Sequence, residues 1–358
     1  MELDADLRLY GDSRLNAAIS NYEFNAHRQA FGTLLDTIRY DGKGGDAPIE
    51  RILETIVDDD VWSHPDFRKA AIAVFRLWIW RVKTILGGRC TTEHILLYLY
   101  GPQGCGKTTF TEWFLQPFKN AKMGAGLDLF SDNGKTGLIA KLPVIVFEET
   151  AFADRASVEN IKQRMTETHT MVRDLYQSAT SKKVTASFFA CSNRLLETII
   201  RDETGMRRFF QLNVKVIPHG TWDGHDPFEV WRCVDENQLQ PPLTEDERAA
   251  IAKYQEQHRS LSIVERWLRD TVVDLDNAGL INAAAGSTQL YDRFKDWCDA
   301  AGEKRISQNQ WARDLKLLPN VTALGHGRYG QEYHITMTVP EVGEPRRNIL
   351  RLVKKYND

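Results

Sequence analysis

Cysteine is scarce in this 358-residue chain. Cys90, Cys105, Cys191, Cys233 and Cys298 are odd in number, and no two stand as C-x-x-C. That excludes a paired disulfide framework and a cysteine zinc site, and implies reduced thiols. The nine histidines are scattered without metal-ligand spacing. Excess charge of one sign is missing too: 46 basic and 49 acidic residues leave a net −3. The chain is no polycation, so any contact to nucleic acid must come from a local basic patch. No apolar run approaches the roughly 18 residues of a membrane span. The opening MELDADLRLYGDS has no apolar stretch of the signal-peptide kind. The expectation is therefore a cytoplasmic protein with no membrane partner. Internal repeats and low-complexity tracts are also absent.

What is present is ordinary globular material. Hydrophobic residues make up 42% and aromatics 10%, enough for two or three units with real cores. Residues 1–90 read as helical, with Ala71, Phe75, Trp78 and Val82 at helical spacing inside Phe67–Leu86 and the loop DGKGGDAP at 41–48. From 91 to 217 short apolar strands alternate with helices, which implies an α/β parallel sheet. Its strands are expected at His94–Tyr100, Leu142–Phe147, Thr170–Tyr176, Val184–Cys191 and Phe209–Val214, with helices at Thr108–Phe118 and Asp154–Thr168. Residues 218–285 begin with the Pro- and Gly-containing stretch Pro218–Pro242, read as a linker or surface excursion, and continue as helices Glu245–Ser260 and Ser262–Asp276. Residues 286–358 hold helices Gln289–Ala300 and Ser307–Leu317, then two strands around GHGRYGQ. Two helices before a β-hairpin are the outline of a winged helix.

Gly101-Pro102-Gln103-Gly104-Cys105-Gly106-Lys107-Thr108 matches G-x-x-x-x-G-K-[ST], after an apolar strand and before a helix. In this pattern the glycines let backbone N–H groups curl around phosphate oxygens, and the helix N-terminus adds its positive dipole end. Lys107 is expected to reach the β- and γ-phosphates, and the Thr108 hydroxyl to ligate Mg²⁺. With Thr109 these residues form the candidate nucleotide site, with ATP as the default nucleotide.

Three further groups follow in order. LPVIVF ends in Glu148-Glu149, and the carboxyl end of a parallel strand faces the ligand crevice. Glu148 is assigned to the metal and Glu149 to orienting the attacking water, with swapped roles left open. The strand ending at Cys191 runs into Ser192-Asn193, and Asn193 can hydrogen-bond the γ-phosphate or that water. Gly205-Met-Arg207-Arg208 supplies guanidinium groups for developing phosphoryl charge. Arg208 is preferred to Arg207, acting across a subunit boundary.

GPQGCGKTTF, VIVFEET, FFACSN and TGMRRFF, with Lys107, Glu148 and Asn193 spaced 41 and 45 residues apart, resemble the superfamily 3 helicases. These are AAA+-like, hexameric motors of viruses, phages and mobile elements. Within them the motifs look most like the primase-helicases of phages and of virulence-associated protein E. Residues 288–317 look similar to a C-terminal module of phage and poxvirus-type primase-helicases. The resemblance covers about 65–215 well and 288–340 more loosely.

It implies an ATP- and Mg²⁺-dependent DNA helicase that assembles as a homo-hexameric ring on single-stranded or forked DNA, in the bacterial host cytoplasm if phage-derived. It also implies a pore hairpin between the acidic pair and Asn193. On that basis Gln177–Lys183 is expected to be the hairpin turn, with Lys182 and Lys183 at its tip and Arg173 and Tyr176 on the incoming strand. Arg328, in the wing turn, is a further candidate DNA contact. The chain departs from the family in one respect: residues 1–90 read as mostly helical and are too few for a primase domain, which leaves open both a separate primase partner and a place in a longer primase-helicase. Two rivals stay open. One is a P-loop ATPase that remodels protein complexes; the other is an ATP-regulated origin-binding initiator.

Overall fold

The computed structural model describes residues 12–89, 91–125, 136–147, 165, 169–172, 180–196, 207–257, 261–327 and 330–337. Two units divide the chain, Met1–Arg259 and Ser260–Asp358.

The first unit opens with helices α1 (Asp12–Thr37), α2 (Ala47–Ile56), α3 (Asp59–Trp62) and α4 (Pro65–Leu86). The Asp58 side chain accepts from the N–H groups of Asp60 and Val61 and so starts α3. Pro65 opens α4, where its fixed φ suits the first turn. Most of α4 is buried on every side, from Phe67 through Val74 and Trp78 to Leu86, as expected of a core helix rather than an amphipathic surface one.

The sheet follows: β1 (Leu96–Tyr100), α5 (Lys107–Phe114), β2 (Lys122–Ala125), β3 (Val144–Phe147), the hairpin strands β4 (His169–Val172) and β5 (Thr180–Lys183), then β6 (Ser187–Ser192) and β7 (Phe209–Asn213). Five strands lie in the order β2-β3-β6-β1-β7, and every pairing among them is parallel. The α/β class and parallel sheet expected from the sequence are thus observed. Strands buried on both faces need continuous apolar runs, as Leu96–Leu99 and Phe188–Ala190 provide. Trp78 of α4 packs on Phe114, Phe189 and Trp231, and its Nε1 donates to the Phe188 carbonyl at 2.9 Å.

Two expectations need correction. β4 and β5 do pair antiparallel, but His169 opposes Lys183 and Thr170 opposes Lys182. The lysines therefore sit on a strand at the open end of the hairpin, not at its tip. Thr180–Lys183 is taken up in the ladder with His169–Val172, and residues 173–179 lie outside the described residues. Lys183 Nζ also donates to the carbonyl of Arg89 at 2.9 Å.

The second correction concerns 218–242. This stretch is packed, not a linker. It forms α6 (Pro227–Arg232), with Val230, Trp231 and Val234 in the main core. Trp231 Nε1 donates to the Phe114 carbonyl at 2.8 Å. Lys83 of α4, fully buried, meets Glu236 at 2.8 Å and donates to the carbonyls of Trp231 and Val234. Helix α7 (Glu245–Gln257) then returns along α4.

The second unit runs α8 (Ile263–Asn277), β8 (Ala284–Gly286), α9 (Ser287–Ala301), α10 (Gln308–Lys316), β9 (Val321–Gly327) and β10 (Gly330–Ile335). Ser262 and Glu265 form a reciprocal capping box at the start of α8. The strands order as β8-β10-β9, and both pairings are antiparallel. Trp267, Leu290, Phe294, Trp311 and Tyr333 fill its core.

Candidate functional site

The loop between β1 and α5 is held at its start and farther along. The Gly101 N–H donates to the Ser192 carbonyl at 3.2 Å, and the Val214 N–H donates to the Tyr100 carbonyl at 2.7 Å. The carboxyl ends of β6, β1 and β7 thus clamp its start. Its middle is pinned where Ile217 N–H donates to the Cys105 carbonyl at 3.0 Å, with the Cys105 side chain buried in the core. Gly104 and Gly106 have φ of +79° and +96°, a region costly for any residue with a Cβ. A Cβ at Gly106 would stand 3.0 Å from Ile217 Cβ, whereas one at Gly104 would meet nothing within 4 Å. Gly101 has no positive φ, but a Cβ there would stand 2.8 Å from the Val214 carbonyl oxygen. The three glycines are needed for different reasons.

Helix α5 begins at Lys107. The N–H groups of its first turn, from Lys107, Thr108 and Thr109, have no intrahelical acceptor and carry the positive end of the helix dipole. Lys107 Nζ folds over the loop and donates to the carbonyls of Gly101 at 2.6 Å and Pro102 at 2.8 Å. To meet a phosphate it must exchange these carbonyls for phosphate oxygens.

A cavity of about 560 Å³ opens beside the loop. Gln103, Gly104, Lys107 and Thr108 line it from the loop and helix, and Phe147, Cys191 and Ser192 from the ends of β3 and β6. Lys119, Lys122, Thr111 and Glu112 line it as well, and sequence reasoning missed them. Thr111 and Glu112 had a signal, since they share a helix face with Thr108 at i+3 and i+4. The two lysines had none; Lys122 reaches the cavity from β2, which is paired with β3, and Lys119 from the chain just before it. Glu112 binds Lys122 at 2.6 Å. Among the described lining residues, Lys107, Lys119 and Lys122 face that one carboxylate, and the surplus is positive. Of the remaining loop candidates, Pro102 is half-buried at the loop start, and Thr109 is exposed and lies off the cavity lining.

Asn193 is exposed and follows Ser192, whose partner in the sheet is Tyr100, so it stands beside the loop entrance. Glu148 and Glu149 follow Phe147, which pairs with Ala190 in β6, but themselves lie outside the described residues, as do Arg173, Tyr176 and Arg328. Lys182 is half-buried on β5. Among the described residues no three His, Cys, Asp or Glu side chains gather as a metal site, and no helix is long and apolar enough to cross a membrane.

Arg207 and Arg208 are not in this cavity. The Leu96 N–H donates to the Arg208 carbonyl at 2.8 Å, so the pair sits where β1 begins, and the loop starts where β1 ends. That separation is about 13 Å along the strand, beyond the reach of an arginine side chain around the sheet edge. These arginines line a second cavity of about 350 Å³ with His94, Glu93, Arg248 and Gln255. Burial, with Arg81 and Arg208 nearby, holds His94 down at about 4.

The family described only as of unknown function, DUF5906, matches residues 99–208, less than half of the chain. No curated protein matches. Among solved structures, an A-form apo structure of the NrS-1 C-terminal region is similar at 10% identity and a TM-score of 0.49, covering 84% of this chain and 78% of that one. Another apo structure of that region is similar at 13% identity and a TM-score of 0.48, with the same coverage.

Proposed function

We propose that this chain is a P-loop ATPase of the superfamily 3, AAA+-like type, a ring-forming DNA helicase that moves on single strands in the replication of a phage or mobile element. One observation carries the reading: a strand–loop–helix with left-handed Gly104 and Gly106, and with Lys107 and Thr108 at the helix start, lines a cavity that Lys119 and Lys122 also line. A volume of about 560 Å³ falls in the usual range for small-molecule sites. The donor set fits a nucleotide triphosphate with Mg²⁺. First-turn N–H groups, Lys107, Lys119 and Lys122 offer hydrogen bonds and charge to phosphates, and the exposed Thr108 hydroxyl offers one oxygen to the metal. ATP with Mg²⁺ would supply the hydrolysis energy; the chain's own groups orient and neutralise. Glu148 and Glu149 are assigned to metal and water, and Asn193 to the terminal phosphate or that water.

The arginines support a ring. Their distance from the chain's own loop rules out action there, and Arg208 is assigned as a finger on another copy's nucleotide, with Arg207 beside it. The DNA grip is assigned to the hairpin segment 173–179, with Arg173 and Tyr176, and to Lys182 on its outgoing strand. Lys183, hydrogen-bonded to the 88–89 backbone, is the weaker candidate. The helix–strand–helix–helix–hairpin order of the second unit fits a winged helix, with Arg328 in its wing as a second DNA contact.

Displacement of a labelled strand from a forked duplex, with ATP and Mg²⁺, tests the proposal. Unwinding that is lost in Lys107→Ala supports it. ATP turnover without affinity for single strands would instead favour a remodeller of protein complexes. Binding confined to one duplex sequence would favour an origin-binding initiator.

A further inference from the structure

The cavity at the amino-terminal edge of the sheet has an unusual charge balance. Arg81 lies beneath it, almost fully buried. Its Nε donates to the Glu93 carbonyl at 2.7 Å, its Nη1 to Ser187 Oγ at 2.8 Å, and its Nη2 meets His94 Nδ1 at 3.3 Å. Every one of those partners is neutral, and no carboxylate pairs with it among the described residues. Burial alone presses its pKa down, to about 10, so it stays charged at neutral pH. A buried cation is ordinarily paired with an anion.

Among the described residues Arg207, Arg208 and Arg248 line the cavity against the one carboxylate of Glu93. That carboxylate is only loosely engaged, 3.5 Å from Arg248 Nη1. His94, held neutral, adds no negative charge. Gln255 is anchored by donating to the Phe209 carbonyl at 2.9 Å, which fixes α7 as the far wall. Among the described residues three guanidinium groups thus face one carboxylate around about 350 Å³ of space, with the Arg81 guanidinium buried behind Glu93 and His94.

We infer that this cavity is a second anion site, on the opposite edge of the sheet from the loop, and that it takes a phosphate or diphosphate group from solution. Guanidinium forks match tetrahedral oxyanions by paired N–H donors, and the volume accommodates a diphosphate. The ligand supplies the negative charge that Arg207, Arg208 and Arg248 lack. The inference does not rest on nucleotide binding at residues 101–108. Nor does it need a second copy of the chain, unlike a finger acting on a neighbour's nucleotide.

The test uses the full chain with its loop disabled by Lys107→Ala, titrated calorimetrically with inorganic diphosphate at constant ionic strength. One site per chain is expected. Arg248→Ala and Arg208→Ala should each weaken it about tenfold or more, the scale of losing a charge-assisted hydrogen bond. Arg248→Lys should weaken it less than Arg248→Ala, and circular dichroism on the same samples establishes that each variant is folded. Absence of binding at millimolar diphosphate overturns the site, as does binding indifferent to both alanine variants. Acetate competing as well as sulfate overturns the preference for a tetrahedral oxyanion. Failure of the ATPase reading would show in turnover by the unaltered chain and would leave this binding in place.

Discussion

Alanine at the three loop glycines separates backbone strain from crowding. At Gly104, φ is +79° and an added Cβ meets nothing within 4 Å. Only the left-handed conformation opposes the substitution, which costs about 1–2 kcal/mol for an L-residue. At Gly106, φ is +96° and the new Cβ stands 3.0 Å from Ile217 Cβ. That neighbour is backbone-anchored, since Ile217 N–H donates to the Cys105 carbonyl. Overpacking typically adds about 1–3 kcal/mol, so Gly106→Ala should lose about 2–5 kcal/mol in all. Gly101→Ala has no φ cost, but the Val214 carbonyl oxygen at 2.8 Å must move, and with it the end of β7. Urea unfolding followed by tryptophan fluorescence reads the stabilities, and a fluorescent nucleotide reads the site. Gly104→Ala should keep most stability yet lose nucleotide affinity, because its methyl enters space that a phosphate needs. Gly106→Ala should lose stability first. Equal destabilisation by the two would refute the crowding argument, and undiminished nucleotide affinity in Gly104→Ala would refute the placement of phosphate.

Other consequences are more compact. Lys83→Ala strands Glu236 in the core without its cation and should cost about 3–5 kcal/mol, whereas Lys83→Met with Glu236→Leu should recover most of that loss; a neutral Lys83→Ala in thermal melts would contradict the pairing. His94 is ordinarily a group of pKa near 6.5 and is held at about 4 here, so as pH falls the unfolded chain takes its proton first. Stability present above about pH 6.5 should be lost progressively toward pH 4, by up to about 3 kcal/mol. Relative to the parent, His94→Gln should flatten that window, and identical pH profiles would exclude the assignment. Mixing Arg208→Ala subunits with Lys107→Ala subunits should restore some ATP turnover, since mixed interfaces can join an intact loop to an intact arginine; rings shown to be mixed yet inactive would argue against action between copies.

The loop was legible because its chemistry is local. Glycine spacing, Lys107 and Thr108 sit within eight residues, between an apolar strand and a helix, and nothing distant is needed to place them. The core strands were legible for a similar reason: burial on both faces demands continuous runs such as Leu96–Leu99. Residues 218–242 were misread because Pro, Gly, His and Asp dominate their composition. Val230, Trp231 and Val234 pack from a six-residue helix and its end, too short for a period to show. The hairpin was expected in the right segment but in the wrong register. Polar residues 177–183 carry no alternation to say which of them turn and which pair, so the partner strand decides. Lys122 joins the site through strand order, and no motif announces strand order. The opposite placement of Arg207 and Arg208 likewise follows from Phe209 pairing with Leu96, a long-range contact without a local signature.

ATP turnover with and without single-stranded DNA, in the parent and in Lys107→Ala, is the most direct measurement of whether the loop drives a nucleic-acid motor. The parent should hydrolyse ATP in a Mg²⁺-dependent way and faster when single strands are added. Lys107→Ala should lose about 10²-fold or more, the scale of removing a preorganised electrostatic partner, with and without DNA alike. A parent that hydrolyses no ATP in either condition, or a Lys107→Ala variant that matches it, would contradict the assignment of the site.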